Sequence, residues 1–361
     1  QPRLEQAYEL QVPPVDDGFS LQVQKLLRAP SYGIAVLDLS DPANPVYAEH
    51  NADQAFNPGS IGKLAVVLGV FQALAKIYPE DIKAREKILR ETLVTADDFI
   101  EWDSHVVPFW LPEENRILKR KLRKGDRGNL WSYLDWMLSA SSNAAASMVI
   151  KQLMLIEHFG RDYPVAPEQE EAFFSGSRQS LSRTLREALD NGVIAAGLEP
   201  AQFRQGGFFT RGGKNRVSGG GSTATPRALI SLLFAIERGL VIDAFSSREI
   251  KRLLYLTQRR IRFASSPALG GAALYFKSGS LYRCKPEQGF TCQKYQGNVT
   301  NLLNSVATVE SPAGDPDGLF YMVVISSNVL KHNAAVDHQT LATRLHRLIQ
   351  QRHRPGSESQ K

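Results

Sequence analysis

The 361-residue sequence is 43% hydrophobic and 22% charged, a composition that excludes a disordered chain and supplies one large core or two medium ones. Its formal net charge of +6 is spread along the chain, with a modest cluster over residues 116–127. No zinc knuckle, basic heptad helix or aromatic RNP-like strand accompanies that cluster, so a solvated basic surface is expected and nucleic acid is not a partner. The longest apolar run, residues 64–74, is interrupted by Gly69 and Gln72 and falls short of the ~18 residues of a membrane span, so no stable membrane insertion is expected.

Gln1 stands first in place of Met, with no basic and apolar leader before it, and a processed, exported chain (periplasmic or secreted) is the expectation. Residues 1–30 read as a polar, proline-containing arm ending in a short helix at about 21–27. Residues 32–39 (YGIAVLDL) and 46–50, separated by Ser40-Asp41-Pro42, predict a β-hairpin. From Ser60 the run SIGKLAVVLGVFQALAKIY is apolar on nearly every face for about five turns, which predicts an interior helix.

Residues 79–213 carry helical periodicity (82–93, 130–138, 144–155, 180–189) with almost no strand signal, and predict an all-helical lobe. A glycine-rich run at 206–221 ends it. Ser222-Thr223-Ala224-Thr225-Pro226 then caps a helix (RALISLLFAIERG). Strands are predicted at 272–276, 304–309 and 319–326, and a closing amphipathic helix at 338–352. The expected fold class is α/β: a sandwich domain of residues 31–78 and 214–354 around a mostly antiparallel sheet, an inserted helical domain of residues 79–213, and a tail of residues 355–361.

Two cysteines, Cys284 and Cys292, flank seven residues in a loop-like stretch. The gap suits a disulfide and lacks the CxxC or Cys/His spacing of redox or metal sites; a pair of free thiols is the other reading that the spacing allows.

Three short motifs carry chemistry. Ser60-Ile61-Gly62-Lys63 puts a hydroxyl and an amine one helical turn apart on the same face, at the start of the most apolar helix, where the helix dipole favours an oxyanion. A lysine that acts as a base must shed its proton near neutral pH, which burial and a nearby cation promote. Ser141-Ser142-Asn143 joins two helical segments and offers a hydroxyl to relay a proton and a carboxamide to bind a substrate amide. Ser326-Ser327-Asn328 repeats that pattern at a strand end, so the motif alone is only a capping cluster. Lys277-Ser278-Gly279-Ser280 ends an apolar strand, where a cation and hydroxyl can hold a carboxylate and the glycine admits a ligand to the backbone.

SxxK, SxN and KSG in this order resemble the class A β-lactamase-like, penicillin-recognising family, and the likeness extends over residues 32–352, through FNPGSIGKL, MLSASSNAAA, GSTATPRALISLLFAIERG and YFKSGS. The resemblance implies an α/β sandwich with a five-stranded antiparallel sheet, a helical domain, and an active site in the cleft between them. It implies Ser60 as acylated nucleophile, Lys63 as its base, Ser141 as proton relay and Asn143 on the substrate amide. Lys277 and Ser278 would face the substrate carboxylate, with the N–H groups of Ser60 and Ser280 as the oxyanion hole. No cofactor or metal is required. The implied partner is a small-molecule β-lactam or a peptidoglycan-derived peptide.

Two departures bear on turnover. Ser142 stands where the family pattern has Asp. No copy of ExxLN, whose Glu positions the deacylating water, is present: Glu187 keeps the four-residue offset to Asn191 and is the nominal candidate, whereas Glu168, Glu170 and Glu171 form an acidic cluster without an Asn at that offset. A β-lactamase-like hydrolase is the leading expectation. A D,D-peptidase or penicillin-binding acyl-transfer enzyme, and a binding module without turnover, are the alternatives. A Ser-His-Asp hydrolase is disfavoured, because Ser60 lies outside a GxSxG elbow.

Overall fold

The computed structural model describes residues 9–257 and 260–353; the expected 355–361 tail lies outside them. The chain divides into two compact units, Gln1–Ile61, Ala224–Arg238 and Arg259–Lys361 forming one, and Gly62–Thr223 with Gly239–Gln258 the other. The sequence-derived boundary at residue 78 thus moves to Ile61, and the apolar helix counts with the helical unit.

The first unit is built on a five-stranded sheet whose order is Val46–His50, Gly33–Asp38, Leu319–Asn328, Thr300–Ser311, Ala273–Arg283. All four pairings are antiparallel. The closing helix Ala334–Arg352 packs Leu341, Leu345 and Ile349 into the core with Ile34, Val36, Phe276, Val309 and Val323, while the helix Pro226–Glu237 also packs on the central strands. Cover on both faces explains why Gly33–Asp38 is buried at every position and reads as a continuous apolar run rather than an alternating one. The N-terminal segment is more than an arm. Asp16 caps the helix Asp17–Gln24 by accepting from the Phe19 N–H, and Phe19 and Val23 are core residues. Cys284 and Cys292 are joined in a disulfide within this unit.

In the second unit the helix Lys63–Ile77 is buried along eleven residues and packs on Arg178–Ala195 and Asn143–Phe159. Glycines permit the first contact: a Cβ on Gly192 would stand 2.3 Å from the Gly69 nitrogen, and one on Gly69 2.8 Å from the Ala188 carbonyl. The helical run Gly59–Ile77 is long and apolar enough to cross a membrane, contrary to the sequence expectation, but 72% of it is buried inside the protein, as in a core helix.

The helical lobe also holds two small ribbons that periodicity did not reveal, Leu93–Thr95 with Arg127–Asn129 and Val107–Leu111 with Arg116–Arg120. The basic cluster supplies strands and turns of these ribbons. Arg120 clasps Asp126 with both guanidinium nitrogens at 2.6 and 2.7 Å and covers the Phe109 ring. Helices Pro167–Phe174 and Ala244–Tyr255 were likewise not expected.

Candidate active site

The Ser60 turn is built within the first unit. Gly59 takes φ +53, a left-handed value that glycine adopts without strain, and the turn Gly59–Gly62 leads into the helix that starts at Lys63. The turn lies against the KSG strand: a Cβ on Gly279 would be 2.3 Å from the Pro58 carbonyl oxygen and 2.8 Å from the Ser60 nitrogen, and one on Gly59 would be 3.3 Å from the Ser280 nitrogen. Only glycine at 279 admits this approach. Asn304, paired with Gly279 across the sheet, donates to the Asn57 carbonyl at 2.9 Å and pins the approach to the turn. The backbone groups of Ser60 and Ser280 are therefore neighbours.

Lys277 and Ser278 are buried in the middle of this strand, which continues to Arg283 instead of ending at residue 276 as the sequence suggested, because Thr300–Ser311 pairs with it through Gly279 and Ser280 and beyond. A residue that no motif announced organises the two serines of this stretch. Arg262, only 8% exposed and in a left-handed conformation at φ +60, donates from Nη1 to the Ser278 hydroxyl at 2.8 Å and from Nη2 to the Ser280 hydroxyl at 2.9 Å. Nη2 also donates to the Tyr295 hydroxyl at 3.2 Å. Both serine oxygens accept from the cation, so their own hydrogens point toward other acceptors. Burial raises the Tyr295 phenol, but the Arg262 charge and hydrogen bond, with Lys294, outweigh it and leave the phenol lowered.

Within the second unit, Lys63, Ser141 and Asn143 converge. Lys63 is fully buried, and its Nζ donates to the Ser141 carbonyl at 3.0 Å and to the Asn143 carboxamide oxygen at 2.7 Å; the Phe209 ring lies 4.6 Å away. A buried amine is costly unless acceptors hold its protons, and one motif about eighty residues away in sequence supplies both of them. Ser141 is held at φ +59, unusual for a non-glycine residue, and Ser142 caps the helix Asn143–Phe159 by accepting from Ala145 N–H. In the repeat of this pattern, Ser326-Ser327-Asn328 on the sheet of the first unit, Ser327 bonds to His338 of the closing helix.

Asp103, also unannounced by sequence, stands behind this loop. Its carboxylate accepts from the Ser142 hydroxyl at 3.0 Å, the Ala144 N–H at 2.9 Å and His105 Nδ1 at 2.6 Å. Burial alone would raise this carboxyl, but the hydrogen bond and charge of His105, with the Ala144 and His105 amides, hold it well below the usual range.

Glu187 is solvent-exposed on the helix Arg178–Ala195, and Glu168 and Glu171 are exposed on Pro167–Phe174. Glu170 pairs with Lys151, which also binds Asp97. Gln205 packs against Gly62, its Oε1 2.0 Å from where a Cβ on that glycine would stand. Among the described residues no group of three or more His, Cys, Asp or Glu is placed to hold a metal ion.

The profile of the beta-lactamase enzyme family matches residues 19–346. No curated protein sequence matches the chain. Among solved structures, the chain is similar to the TLA-3 extended-spectrum beta-lactamase (TM-score 0.59, 13% identity, 92% of this chain and 98% of that one). It is similar also to a beta-lactamase from Sphaerobacter thermophilus (TM-score 0.56, 16% identity, 91% and 96%) and to PBP-A (TM-score 0.56, 15% identity, 94% and 100%). A PBP-A variant has been captured as an acyl-enzyme with penicillin G. At these identities the likeness is one of fold.

Proposed function

The chain belongs to the beta-lactamase enzyme family, and from this we propose that it is a serine acyl-transfer hydrolase in which Ser60 opens a β-lactam or a related peptide amide. Ser60 Oγ adds to the carbonyl carbon, the C–N bond breaks, and an ester forms on the serine. The hydroxyl proton passes to Lys63 as a neutral amine and is returned through the Ser141 hydroxyl to the leaving nitrogen, so that proton and charge balance. The backbone N–H groups of Ser60 and Ser280 stabilise the oxyanion. Asn143 meets the substrate amide, and Lys277 with the Ser278 and Ser280 hydroxyls, oriented by Arg262, holds the substrate carboxylate. Hydrolysis of the ester by water releases the acid and regenerates Ser60.

One observation carries this reading: Lys63 Nζ donates to the Ser141 carbonyl and the Asn143 carboxamide oxygen at 3.0 and 2.7 Å, which joins two of the three motifs around one proton-transfer group. The disulfide supports an extracytoplasmic, secreted or periplasmic location.

Exposure of Glu187 and the pairing of Glu170 with Lys151 favour a second outcome for the ester, slow hydrolysis or transfer to an amine, as in a D,D-peptidase. Intact mass after exposure to benzylpenicillin tests both. A full-mass adduct that is absent in Ser60→Ala supports the nucleophile, and its persistence for minutes favours the peptidase outcome. No adduct on the parent chain would remove the β-lactam-directed reading.

A further inference from the structure

We propose that Asp103 is a positioning residue for this acylation: its buried carboxylate, brought from a separate segment of the chain, fixes the Ser141–Asn143 loop that holds Lys63. The inference rests on the function proposed above and concerns how its proton-transfer group is kept in place.

The geometry is a continuous series of contacts. His105 Nδ1 and the His105 N–H bind Asp103 Oδ1 at 2.6 and 3.1 Å, while Oδ2 receives the Ser142 hydroxyl at 3.0 Å and the Ala144 N–H at 2.9 Å. Both carboxylate oxygens are thus engaged, and the side chain is only 5% exposed. The two groups bound by Oδ2 belong to the residues on either side of Asn143. Immediately before them Ser141 is held at φ +59, where a non-glycine residue persists only if its surroundings fix it. Asn143 Oδ1 and the Ser141 carbonyl in turn receive the Lys63 protons.

The family pattern has an acid at the position of Ser142. An N-cap carboxylate there would accept the first amides of the helix directly. In this chain the Ser142 hydroxyl accepts from Ala145 N–H and passes its own hydrogen to Asp103, which takes the Ala144 amide as well. Asp103, in residues 102–105, thus supplies the carboxylate that the resemblance puts at 142, and the serine at 142 serves as an adaptor between acid and helix.

This arrangement predicts a compensation. Ser142→Asp alone sets two carboxylates against each other; Asp103→Ser alone leaves the Ala144 amide and the Ser142 hydroxyl without their acceptor. The double variant Asp103→Ser/Ser142→Asp puts one carboxylate at the helix cap. The experiment measures the benzylpenicillin acylation rate constant of the full chain and its four variants, Asp103→Asn, Asp103→Ser, Ser142→Asp and the double, with amide hydrogen exchange at Ala144. Each single serine or aspartate variant is expected to acylate about 10²-fold more slowly, as small misplacements of a reacting group do, with penicillin affinity little changed. The double is expected to recover to within about tenfold of the parent. Asp103→Asn, near in shape, is the variant to read if Asp103→Ser fails to fold, and is expected to be slowed likewise. Parental acylation in Asp103→Ser or Asp103→Asn, or a double variant as slow as Ser142→Asp, would overturn the proposal. If the parent chain takes no penicillin, the functional reading falls separately. The exchange data then decide: faster exchange at Ala144 in Asp103→Ser, restored in the double, supports Asp103 as the holder of the loop, and unchanged exchange overturns it.

Discussion

Lys63 Nζ donates to Asn143 Oδ1 at 2.7 Å, and this bond joins the first residue of the buried helix Lys63–Ile77 to the first residue of the helix Asn143–Phe159. Truncation of Asn143 leaves a buried cation with one acceptor fewer. Hydrogen bonds to charged groups contribute about 1.5–3 kcal/mol. Asn143→Ala is therefore expected to lose roughly that much stability and to slow acylation by about 10- to 100-fold. Urea unfolding and the rate of adduct formation check the two effects separately; a variant that unfolds earlier yet labels at the parental rate would show that Lys63 needs Asn143 for stability alone.

Arg262 bridges the Ser278 and Ser280 hydroxyls with two nitrogens of one planar group, a geometry that a lysine ammonium does not reproduce. Arg262→Lys is expected to weaken binding of a penicillin carboxylate by about tenfold, through a charge-assisted contact worth about 1.4 kcal/mol, with a smaller effect on the limiting acylation rate. The check is the concentration dependence of acylation, repeated with a penicillin methyl ester. Equal losses for acid and ester would refute a role in carboxylate recognition.

Gly279 admits the Ser60 turn because it lacks a side chain; an added Cβ would stand 2.3 Å from the Pro58 oxygen and 2.8 Å from the Ser60 nitrogen, both backbone atoms. Backbone cannot yield as a flexible side chain can. Gly279→Ala is expected to cost about 1–3 kcal/mol by overpacking and to reduce acylation by about 10²-fold through displacement of the oxyanion groups. Gly271, where an added Cβ meets nothing within 4 Å, is the control: Gly271→Ala should acylate normally. Comparable losses in both variants would refute the positional argument.

The disulfide Cys284–Cys292 closes a short loop after the KSG strand. The chain-entropy account gives roughly 2–3 kcal/mol for a loop of this length. Replacement of both cysteines by serine is expected to lower unfolding free energy by about 2 kcal/mol. The comparison is made by urea titration; an unchanged midpoint would place the bridge outside the cooperative core.

Sequence revealed most where the physics is local. The Ser60 helix, the 32–50 hairpin and the three later strands announce themselves because residues such as Val36, Val323 and Leu68 form unbroken apolar runs that must be buried. Pro167–Phe174 was missed because it has no buried residue, hence no apolar stripe. The ribbon strands were missed because three- and five-residue segments leave too short a pattern. At the site, SxxK, SxN and KSG are legible as spacings, and the bonds from Lys63 to Ser141 and Asn143 join two of them. Asp103 and Arg262 were not, because each acts through partners 16 to 41 residues away and neither belongs to a motif.

His338 is fully buried between two hydroxyls, with Ser305 Oγ 3.0 Å from Nδ1 and Ser327 Oγ 2.9 Å from Nε2. Burial, followed by the positive charge of Arg262, pushes the imidazole from 6.5 down to about 3. The ring is therefore neutral in the folded protein, whereas in the unfolded chain it gains a proton below about pH 6.5. A depressed folded value means that the stabilisation is complete above about pH 6.5 and is lost progressively as pH falls toward about 3. The slope for one such group is about 1.4 kcal/mol per pH unit, so a drop to about pH 5 costs roughly 2 kcal/mol. His346, lowered by burial, contributes in the same direction. The test compares urea unfolding near pH 7 and pH 5 for the parent and for His338→Gln, whose carboxamide can meet both serines without titrating. The His346 and carboxylate contributions are common to both proteins and cancel in the difference. The parent is expected to lose about 2 kcal/mol more than the variant over this interval, and identical losses would mean that the imidazole already carries its proton in the folded protein, or that a proton reaches it there without cost.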